Sequence, residues 1–315
     1  MRRFTWSFLF LLAFTAPCIQ AQDSDRDGLS DELEQSLLRQ FAPQLMIDRS
    51  DCAGIPAEFS RDVAAPEVKA ANGTIYGQVF PASGQSATAE IHYYHLWSKD
   101  CGAHGHQLDT EHVSVLVKDT GSGMWKAMYW FAAAHEDTVC DISQIARAST
   151  LNAEDHGANV WVTTGKHASF FTGGAIRHGC GKDVLGESRS VIATQVINLG
   201  EPGSPMNGSG WIASTRWPLA AKMSRSDFPA PTIARLEEFS SIEIAQVSGG
   251  SHPAQSVIAI SGTTADALEN SRKTTVGAIS SALDTTGNSL QKSYRATIRS
   301  LSGPLNRAGA VLSRR

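Results

Sequence analysis

The segment HGHQLDTEHVSV, residues 104 to 115, places three histidines and two carboxylates within nine residues and then continues as an alternating apolar stretch. If the chain is extended from Asp109, then Asp109 and Glu111 share a face with the valines that follow. A carboxylate at the edge of a hydrophobic core is costly unless it is paired or bound to a cation. His106 follows Gly105, and a turn at this glycine can bring its imidazole onto both carboxylates. The segment therefore predicts a divalent-metal site at the start of a strand.

The donor set of this site is one imidazole with carboxylate oxygens, which suits Mg²⁺, Ca²⁺ or Mn²⁺ better than zinc. The alternative is a plain hydrogen bond from His106 or His112 to Glu111, without any metal.

The same residues resemble a known family. GHQLDTEHVSV is similar to the GHRHDWE heptapeptide, followed by a strand, of the necrosis- and ethylene-inducing peptide-like proteins. In that family the first histidine, the aspartate and the last glutamate hold a divalent cation, which implies His106, Asp109 and Glu111 here. The preceding EIHYYHLWSKD resembles the aromatic strand of the family and adds Asp100 as a ligand candidate. The heptapeptide differs here at Gln107, Leu108 and Thr110. The resemblance implies a β-sandwich with a metal at one end, and the activity it would imply is cytolysis through plant sphingolipids.

A second resemblance involves VWVTTGKHASFF, residues 160 to 171, and the D-x-E-H-V pattern at residues 109 to 113. Both are similar to segments of the vacuolar protein sorting 62-like family. This likeness implies that His167 lies near Glu111 as a further metal ligand, with His135 as another candidate. The two resemblances together cover residues 90 to 180.

A different metal motif precedes them. DSDRDGLSDELE, residues 23 to 34, has the spacing of a twelve-residue calcium loop, with Gly28 at the turn position. The motif resembles EF-hand-like single repeats of dockerin-like and thrombospondin type 3-like segments. A solvated acidic tail is the alternative. Leu33, Leu37, Leu38, Phe41 and Leu45 recur at helical spacing and predict a helix after the loop. The predicted Ca²⁺ ligands are Asp23, Asp25, Asp27, the Leu29 carbonyl, Asp31 and Glu34.

Residues 1–21 have the basic start, short apolar core and small-residue end of a signal peptide, which predicts a secreted or periplasmic protein. After their removal Cys52, Cys101, Cys140 and Cys180 remain, and an even number in an exported chain predicts two disulfides with three alternative pairings. The formal net charge of -4 gives no reason to expect a nucleic-acid partner.

These sites require a scaffold that is mainly β. Short β-branched and aromatic runs separated by turn residues predict a two-sheet β-sandwich over residues 50–246, after the calcium loop and helix of residues 22–49. The predicted strands are TIYGQVF, AEIHYYHLWS, EHVSVLVK, MWKAMYWFAA, ANVWVTT and SVIATQVI. Trp211 and Trp217 are expected to pack against this sandwich.

Residues 247–315 are rich in Ser, Thr and Ala, and apolar residues recur there at steps of three and four. The pattern predicts a basic amphipathic helix, broken near Gly303 and Pro304. Its apolar face could meet an anionic membrane, mediate self-association, or dock on the β domain.

Three functions remain open. The first is an exported calcium-binding protein whose second divalent site binds a lipid headgroup or a glycan. The second is a metal-dependent hydrolase of phosphoesters or esters. The chain has no G-x-S-x-G, H-E-x-x-H or P-loop motif, which favours binding over catalysis. A cell-envelope protein whose metals only stabilise the fold is the third reading.

Overall fold

The structure is a computed structural model that describes residues 22–82, 87–102, 105–121, 123–136, 141–173, 183–217, 219–238, 244–248 and 257–259. The predicted signal peptide and most of the predicted C-terminal helix lie outside the described residues. Among the described residues, no helix combines the length and the apolar character needed to cross a membrane.

The chain forms strands for most of its described length. The first half contains α1 Asp31–Gln40, β1 Gln44–Asp48, β2 Ala57–Phe59, β3 Val68–Ala71, β4 Thr74–Pro81, β5 Thr88–Lys99, β6 Gln107–Asp119 and β7 Trp125–Ala132. The second half contains β8 Gln144–Arg147, β9 Asn159–Val162, β10 Ser169–Phe170, β11 Ser188–Val191, β12 Gln195–Asn198, β13 Gly200–Glu201, β14 Ser204–Pro205, a 3₁₀ turn at Gly210–Ala213, α2 Leu219–Met223, α3 Ala230–Glu238, β15 Ile244–Ser248 and β16 Val257–Ala259.

Two larger sheets form the sandwich. One has eight strands in the order β12-β4-β5-β6-β7-β8-β15-β16, and the other has four in the order β10-β9-β1-β11. Most neighbours are antiparallel, and β12 with β4 and β1 with β9 are parallel pairs. The predicted mainly β, two-sheet architecture is confirmed. The division into domains stays a prediction, and β15 crosses the boundary placed at residue 246.

The space between the two sheets is filled by the alternate, inward-facing residues of each strand. This core includes Leu37, Leu38, Leu45, Ile47, Ile91, Tyr93, Val113, Val115, Val160 and Val162. Burial of a leucine or isoleucine side chain is worth about 1.5–3 kcal/mol, so this layer fixes both sheets and α1 in place.

Helix α1 begins at the Ser30 cap, whose hydroxyl accepts a hydrogen bond from the Leu33 amide at 3.3 Å. It ends at Gln40, shortly before Pro43, since a residue that precedes proline avoids the helical conformation. The predicted helical spacing therefore stops at Phe41, and Leu45 lies in β1. A Cβ at Gly77 would overlap the Leu38 side chain, so this glycine lets α1 pack directly on β4.

The outer face of the large sheet is also covered. Tyr76, Tyr94 and Leu96 pack there against Trp211 and Trp217, as the sequence predicts for the two tryptophans. Helix α2 belongs to this cluster through Leu219 and Met223, and α3 continues the outer layer over β7 and β8.

The segment SVIATQVI differs from its prediction as a single strand. It divides into β11, which pairs with β1, and β12, which pairs with β4 in the other sheet. The intervening residues carry the chain from one sheet to the other, so one apolar run serves two layers.

Candidate metal centres at the end of the large sheet and beside helix α1

The first centre lies where β5 ends and β6 begins. Their antiparallel register pairs Trp97 with Asp109 and His95 with Glu111. Asp100, His106 and Asp109 can each offer a ligand atom, and these atoms lie within 4.8 Å of one another. The structure therefore brings together three of the residues that the heptapeptide and the preceding strand indicate.

The turn between the strands depends on glycine. A Cβ on Gly105 would stand 2.6 Å from the Asp100 carbonyl oxygen, so a larger residue would push the turn open. The Asp100 amide donates to the His106 carbonyl at 2.8 Å, which closes the turn. Leu108 has a φ of 63°, a strained conformation for a residue with a branched side chain. This backbone strain directly precedes Asp109, as is common at sites of function.

Glu111 lies two residues further along the same face of β6 and is buried. Burial raises the pKa of its carboxyl to about 7, although the nearby Lys222 opposes the rise. The Lys222 ammonium lies 3.6 Å from the Glu111 carboxylate. Lys222 on α2 is a neighbour that the sequence did not indicate.

His167 is buried beside Asp109, as the second resemblance implies. Its Nδ1 lies 2.7 Å from Asp109 Oδ2, and its Nε2 lies 3.3 Å from Asp51 Oδ1. Burial alone would lower the pKa of His167, but the two carboxylates outweigh it and raise that pKa to about 9. The ring stacks on Trp97 with centroids 3.9 Å apart. Both ring nitrogens thus face carboxylates.

No sequence pattern indicates Asp51 as part of this centre. It accepts hydrogen bonds from the Gly165 amide at 2.7 Å and the Ala53 amide at 2.8 Å. The next residue, Cys52, forms a disulfide with Cys101, which follows Asp100. This bridge joins the loop that carries Asp51 to the loop that carries Asp100. Cys140 and Cys180 lie outside the described residues.

His135, the other candidate of the second resemblance, pairs with Asp183, and its charge also interacts with Glu111. Its Nε2 lies 2.7 Å from Asp183, which also forms an ion pair with Lys166 at 3.3 Å.

The second centre is the acidic loop before α1. Asp23, Asp25 and Asp27 can each place an oxygen within 4.8 Å of the others. Local hydrogen bonds shape the loop: Asp23 accepts from the amides of Arg26 and Gly28 at 2.7 and 3.1 Å. Asp31 does not share this geometry, because its carboxylate accepts from the Ser24 amide and hydroxyl, both at 2.7 Å.

Glu34 closes this loop from the first turn of α1, and its side chain is fully buried. One carboxylate oxygen accepts from Asn198 at 2.8 Å, while the other has no hydrogen-bond partner. Burial, with the charges of Asp25 and Asp27, raises the pKa of Glu34 to about 8.

Glu201 approaches the same loop from β13, and no sequence pattern pointed to it. Burial and the adjacent Asp25 raise the pKa of its carboxyl to about 7. Buried oxygens without hydrogen-bond partners also occur on Asp25, Asp27 and Glu201. Such a concentration of unpaired carboxylate oxygens is costly without a cation, and its all-oxygen donor set fits Ca²⁺.

Comparisons with known proteins give a limited result. No family model matches the sequence, and no curated protein matches it. Among solved structures, a mutant of NLPPya is similar with a TM-score of 0.39 and 16% identity, over 65% of this chain and 89% of that chain. NLPPya in complex with glucosamine has a TM-score of 0.36 and 16% identity, over 70% of this chain and 95% of that one. Necrosis and ethylene inducing protein 2 from the causal agent of cocoa's witches' broom disease has a TM-score of 0.33 and 14% identity, over 65% and 94%.

These neighbours belong to the family that the heptapeptide indicates, so the predicted resemblance to necrosis- and ethylene-inducing proteins is confirmed. The EF-hand-like and vacuolar protein sorting 62-like resemblances stay predictions. The neighbours are distant, with identities of 14–16% and TM-scores of 0.33–0.39.

Proposed function

We propose that this chain is an exported, calcium-stabilised β-sandwich protein that binds the polar headgroup of a lipid or a glycan through a divalent cation. The cation would be held by Asp100, His106, Asp109 and Glu111. The observation that carries this proposal is the convergence of Asp100, His106 and Asp109 within 4.8 Å at the edge of the sandwich.

The site is open on one side and closed on the other. His106 is exposed, whereas Asp109 and Glu111 are buried. A cation held here would have protein ligands on its inner side and room for hydroxyl or phosphate oxygens on its outer side. Mg²⁺, Mn²⁺ and Ca²⁺ all accept such oxygen ligands.

His167 is expected to position Asp109 and not to bind the cation. Both of its nitrogens face carboxylates, and a pKa of about 9 keeps the ring protonated at neutral pH. A protonated imidazole donates from both nitrogens and has no lone pair left for a metal. Asp51 and Trp97 hold the ring in this orientation, and the Cys52–Cys101 bridge holds Asp51.

The acidic loop would bind Ca²⁺ as a structural ion. Its ligands would be Asp23, Asp25, Asp27, the Leu29 carbonyl and Glu34, with Glu201 from β13. Glu201 ties the loop to the sandwich, because β13 follows β12 at the edge of the large sheet. Asp31 is expected to stabilise the loop through Ser24.

Metal content and ligand binding test this proposal. The purified mature chain, residues 22–315, is compared with Asp25→Ala and Asp109→Asn by elemental analysis. Asp155→Asn is the matched control, since this exposed aspartate lies at neither centre. We expect Asp25→Ala to lose calcium only, and Asp109→Asn to lose the other divalent ion only.

Binding is then measured with three probes: glucosamine, mannosamine, and vesicles of phosphatidylcholine with phosphatidylinositol. The two amino sugars are those in the NLPPya complexes. Binding that is lost in Asp109→Asn, while the melting temperature stays within a few degrees, supports the proposal, and the probe that binds separates a glycan from a lipid. Equal binding by Asp109→Asn and the wild type would refute it.

Hydrolysis is the competing function. Turnover of a chromogenic phosphodiester or ester that disappears in Glu111→Ala would favour the hydrolase, because Glu111 would then be a ligand of the ion that activates the attacking water.

A further inference from the structure

A third cluster of metal-capable side chains lies on the opposite face of the same two strands. Since side chains alternate along a strand, His92 of β5 and His112 of β6 point away from the face that carries Asp109 and Glu111. Asp227, between α2 and α3, meets them there. All three side chains are fully buried, with no solvent-exposed fraction.

The three residues present converging ligand atoms. His112 Nε2 lies 3.1 Å from Asp227 Oδ2, and His92 Nδ1 lies 3.8 Å from the same oxygen. One ligand atom from each residue falls within 4.8 Å of the other two. Ligands about 2.0–2.1 Å from a tetrahedral zinc ion lie roughly 3.3 Å apart, so the observed separations match such a site.

The other nitrogen of each imidazole faces a carboxylate. His92 Nε2 is hydrogen-bonded to Glu90 at 2.9 Å, and His112 Nδ1 lies 3.3 Å from Glu136 without forming a hydrogen bond to it. Metal-bound histidines almost always have the arrangement seen at His92, because a carboxylate at the second nitrogen fixes the tautomer and strengthens the ligand.

Those two carboxylates are themselves held in place. Glu90 accepts a hydrogen bond from Ser226 at 2.6 Å and another from the Asp227 amide. Glu136 pairs with Arg225 at 2.9 Å. The two carboxylates that face the histidines are thus held by the same short segment that supplies Asp227.

The cluster is rich in acidic groups. It holds the carboxyl groups of Glu90, Glu136 and Asp227 beside the Arg225 guanidinium, and the Lys222 ammonium also interacts with Glu136. A divalent ion or protonation of the two histidines would offset the excess of acidic groups. The two imidazole rings are stacked at 7° with centroids 5.7 Å apart, and two imidazolium ions so close in a buried site would repel each other.

Unpaired polar atoms give an independent indication. His92 Nδ1 and Asp227 Oδ1 are buried without hydrogen-bond partners. A buried polar group left unpaired costs about 1–3 kcal/mol. A metal bound to His92 Nδ1 would remove the cost of leaving this nitrogen unpaired.

We propose that His92, His112 and Asp227 bind a structural zinc ion that fastens residues 225–228 to the outer face of the large sheet. Two imidazoles with one carboxylate are a zinc donor set whose fourth tetrahedral position is taken by a water, unlike the oxygen-rich sets of the other two centres. The site is closed to solvent, so its role is to hold the outer layer and not to bind a ligand.

Zinc stoichiometry of the purified full chain tests this proposal. The protein is incubated with zinc, dialysed, and analysed for zinc and calcium, alongside His92→Gln, His112→Gln and Asp227→Asn. The exposed His156 provides the matched control, His156→Gln. We expect about one zinc per chain in the wild type and the control. In the three variants zinc should be lost while calcium is retained.

Because these buried variants could fail to fold, the wild-type protein provides a second measurement. Zinc K-edge X-ray absorption should show two imidazoles and one carboxylate, with distances of about 2.0–2.2 Å. Co²⁺ in place of zinc should give the intense visible absorption of a tetrahedral site. A folded variant that keeps its zinc, a wild type that takes up none, or a shell with fewer than two imidazoles would each overturn the proposal.

Discussion

Replacement of Glu34 by glutamine should have opposite effects on the melting temperature with and without calcium. Glutamine keeps the shape of the side chain and can still accept the hydrogen bond from Asn198, which is 2.8 Å long in the wild type. It cannot carry the buried negative charge. Without calcium, that charge destabilises the folded state. With calcium, the charged carboxylate is a ligand of the ion.

The size of the effect follows from the raised pKa of Glu34. Burial and the charges of Asp25 and Asp27 raise this pKa from its ordinary value of 4.5 to about 8. The folded, metal-free chain therefore holds the proton more tightly than the unfolded chain does. The stability contributed by this proton is complete below pH 4.5 and is lost as the pH rises toward 8. At about 1.36 kcal/mol per pKa unit, the loss at pH 8 is about 4 kcal/mol.

Thermal unfolding in a calcium chelator measures this difference. At pH 8 the metal-free Glu34→Gln variant should melt roughly 10 °C above the wild type, at about 2–4 °C per kcal/mol. At pH 4 the two should melt together, since Glu34 is then protonated in both states. In calcium at pH 8 the order should reverse, because the wild type gains the binding free energy of the ion.

The control for this experiment is Glu32→Gln, an exposed carboxylate in the same first turn of α1. It should change stability by under about 1 kcal/mol in every condition, as expected for a charge near a helix N-terminus. If Glu34→Gln lowers the melting temperature equally with chelator and with calcium, Glu34 is only an acceptor for Asn198, and the reasoning on its charge is wrong.

Three further outcomes are expected. Glu201→Gln should weaken calcium binding by about tenfold in a calorimetric titration, and Asp31→Asn by much less; the reverse order would exclude Glu201 as a ligand. Asp109→Asn should lower the pKa of His167 from about 9 toward its ordinary value, by NMR titration of the ring, because Asp51 alone then faces it; an unchanged pKa would show that Asp109 contributes nothing to it. Reduction of Cys52–Cys101, which spans 49 residues, should cost about 4 kcal/mol of stability and weaken the metal site at Asp100; an unchanged metal affinity would mean that the bridge does not position that ligand.

The acidic loop shows which part of a site can be predicted from sequence. Asp23, Asp25, Asp27 and Glu34 come together because they belong to one short loop and the helix turn that follows it, so their spacing carries the information. Glu201 lies in a two-residue strand far along the chain. Its approach to Asp25 depends on how β12 and β13 sit against α1, and no local pattern contains that arrangement.

The centre at the heptapeptide also contains some residues that local sequence indicates and others that it does not. His106 and Asp109 were indicated by their neighbours in sequence, and Asp100 by the strand before them. Asp51 and Lys222 come from distant segments, one through a disulfide-linked loop and the other through α2. The loop spacing also indicates Asp31, and the structure adds that the Asp31 carboxylate accepts a hydrogen bond from Ser24.

The buried histidine cluster was not predicted, although part of its signal was present in the sequence. Alternation along EIHYYHLWS places His92 and Tyr94 on one face of β5, and alternation along β6 places His112 and Ser114 on one face. What alternation cannot give is which residue of β5 stands beside which residue of β6.

The register of β5 and β6 supplies that missing information for both faces at once. It pairs Tyr94 with His112 on the outer face and Trp97 with Asp109 on the inner face. A slip of one residue would turn every side chain of one strand to the other face. His112 would then enter the apolar core, and Asp109 would lose its place beside His167. The sites at Asp109 and at His112 therefore both require the same register of β5 and β6. Metal binding at either site should stabilise this register and so also support the site on the opposite face.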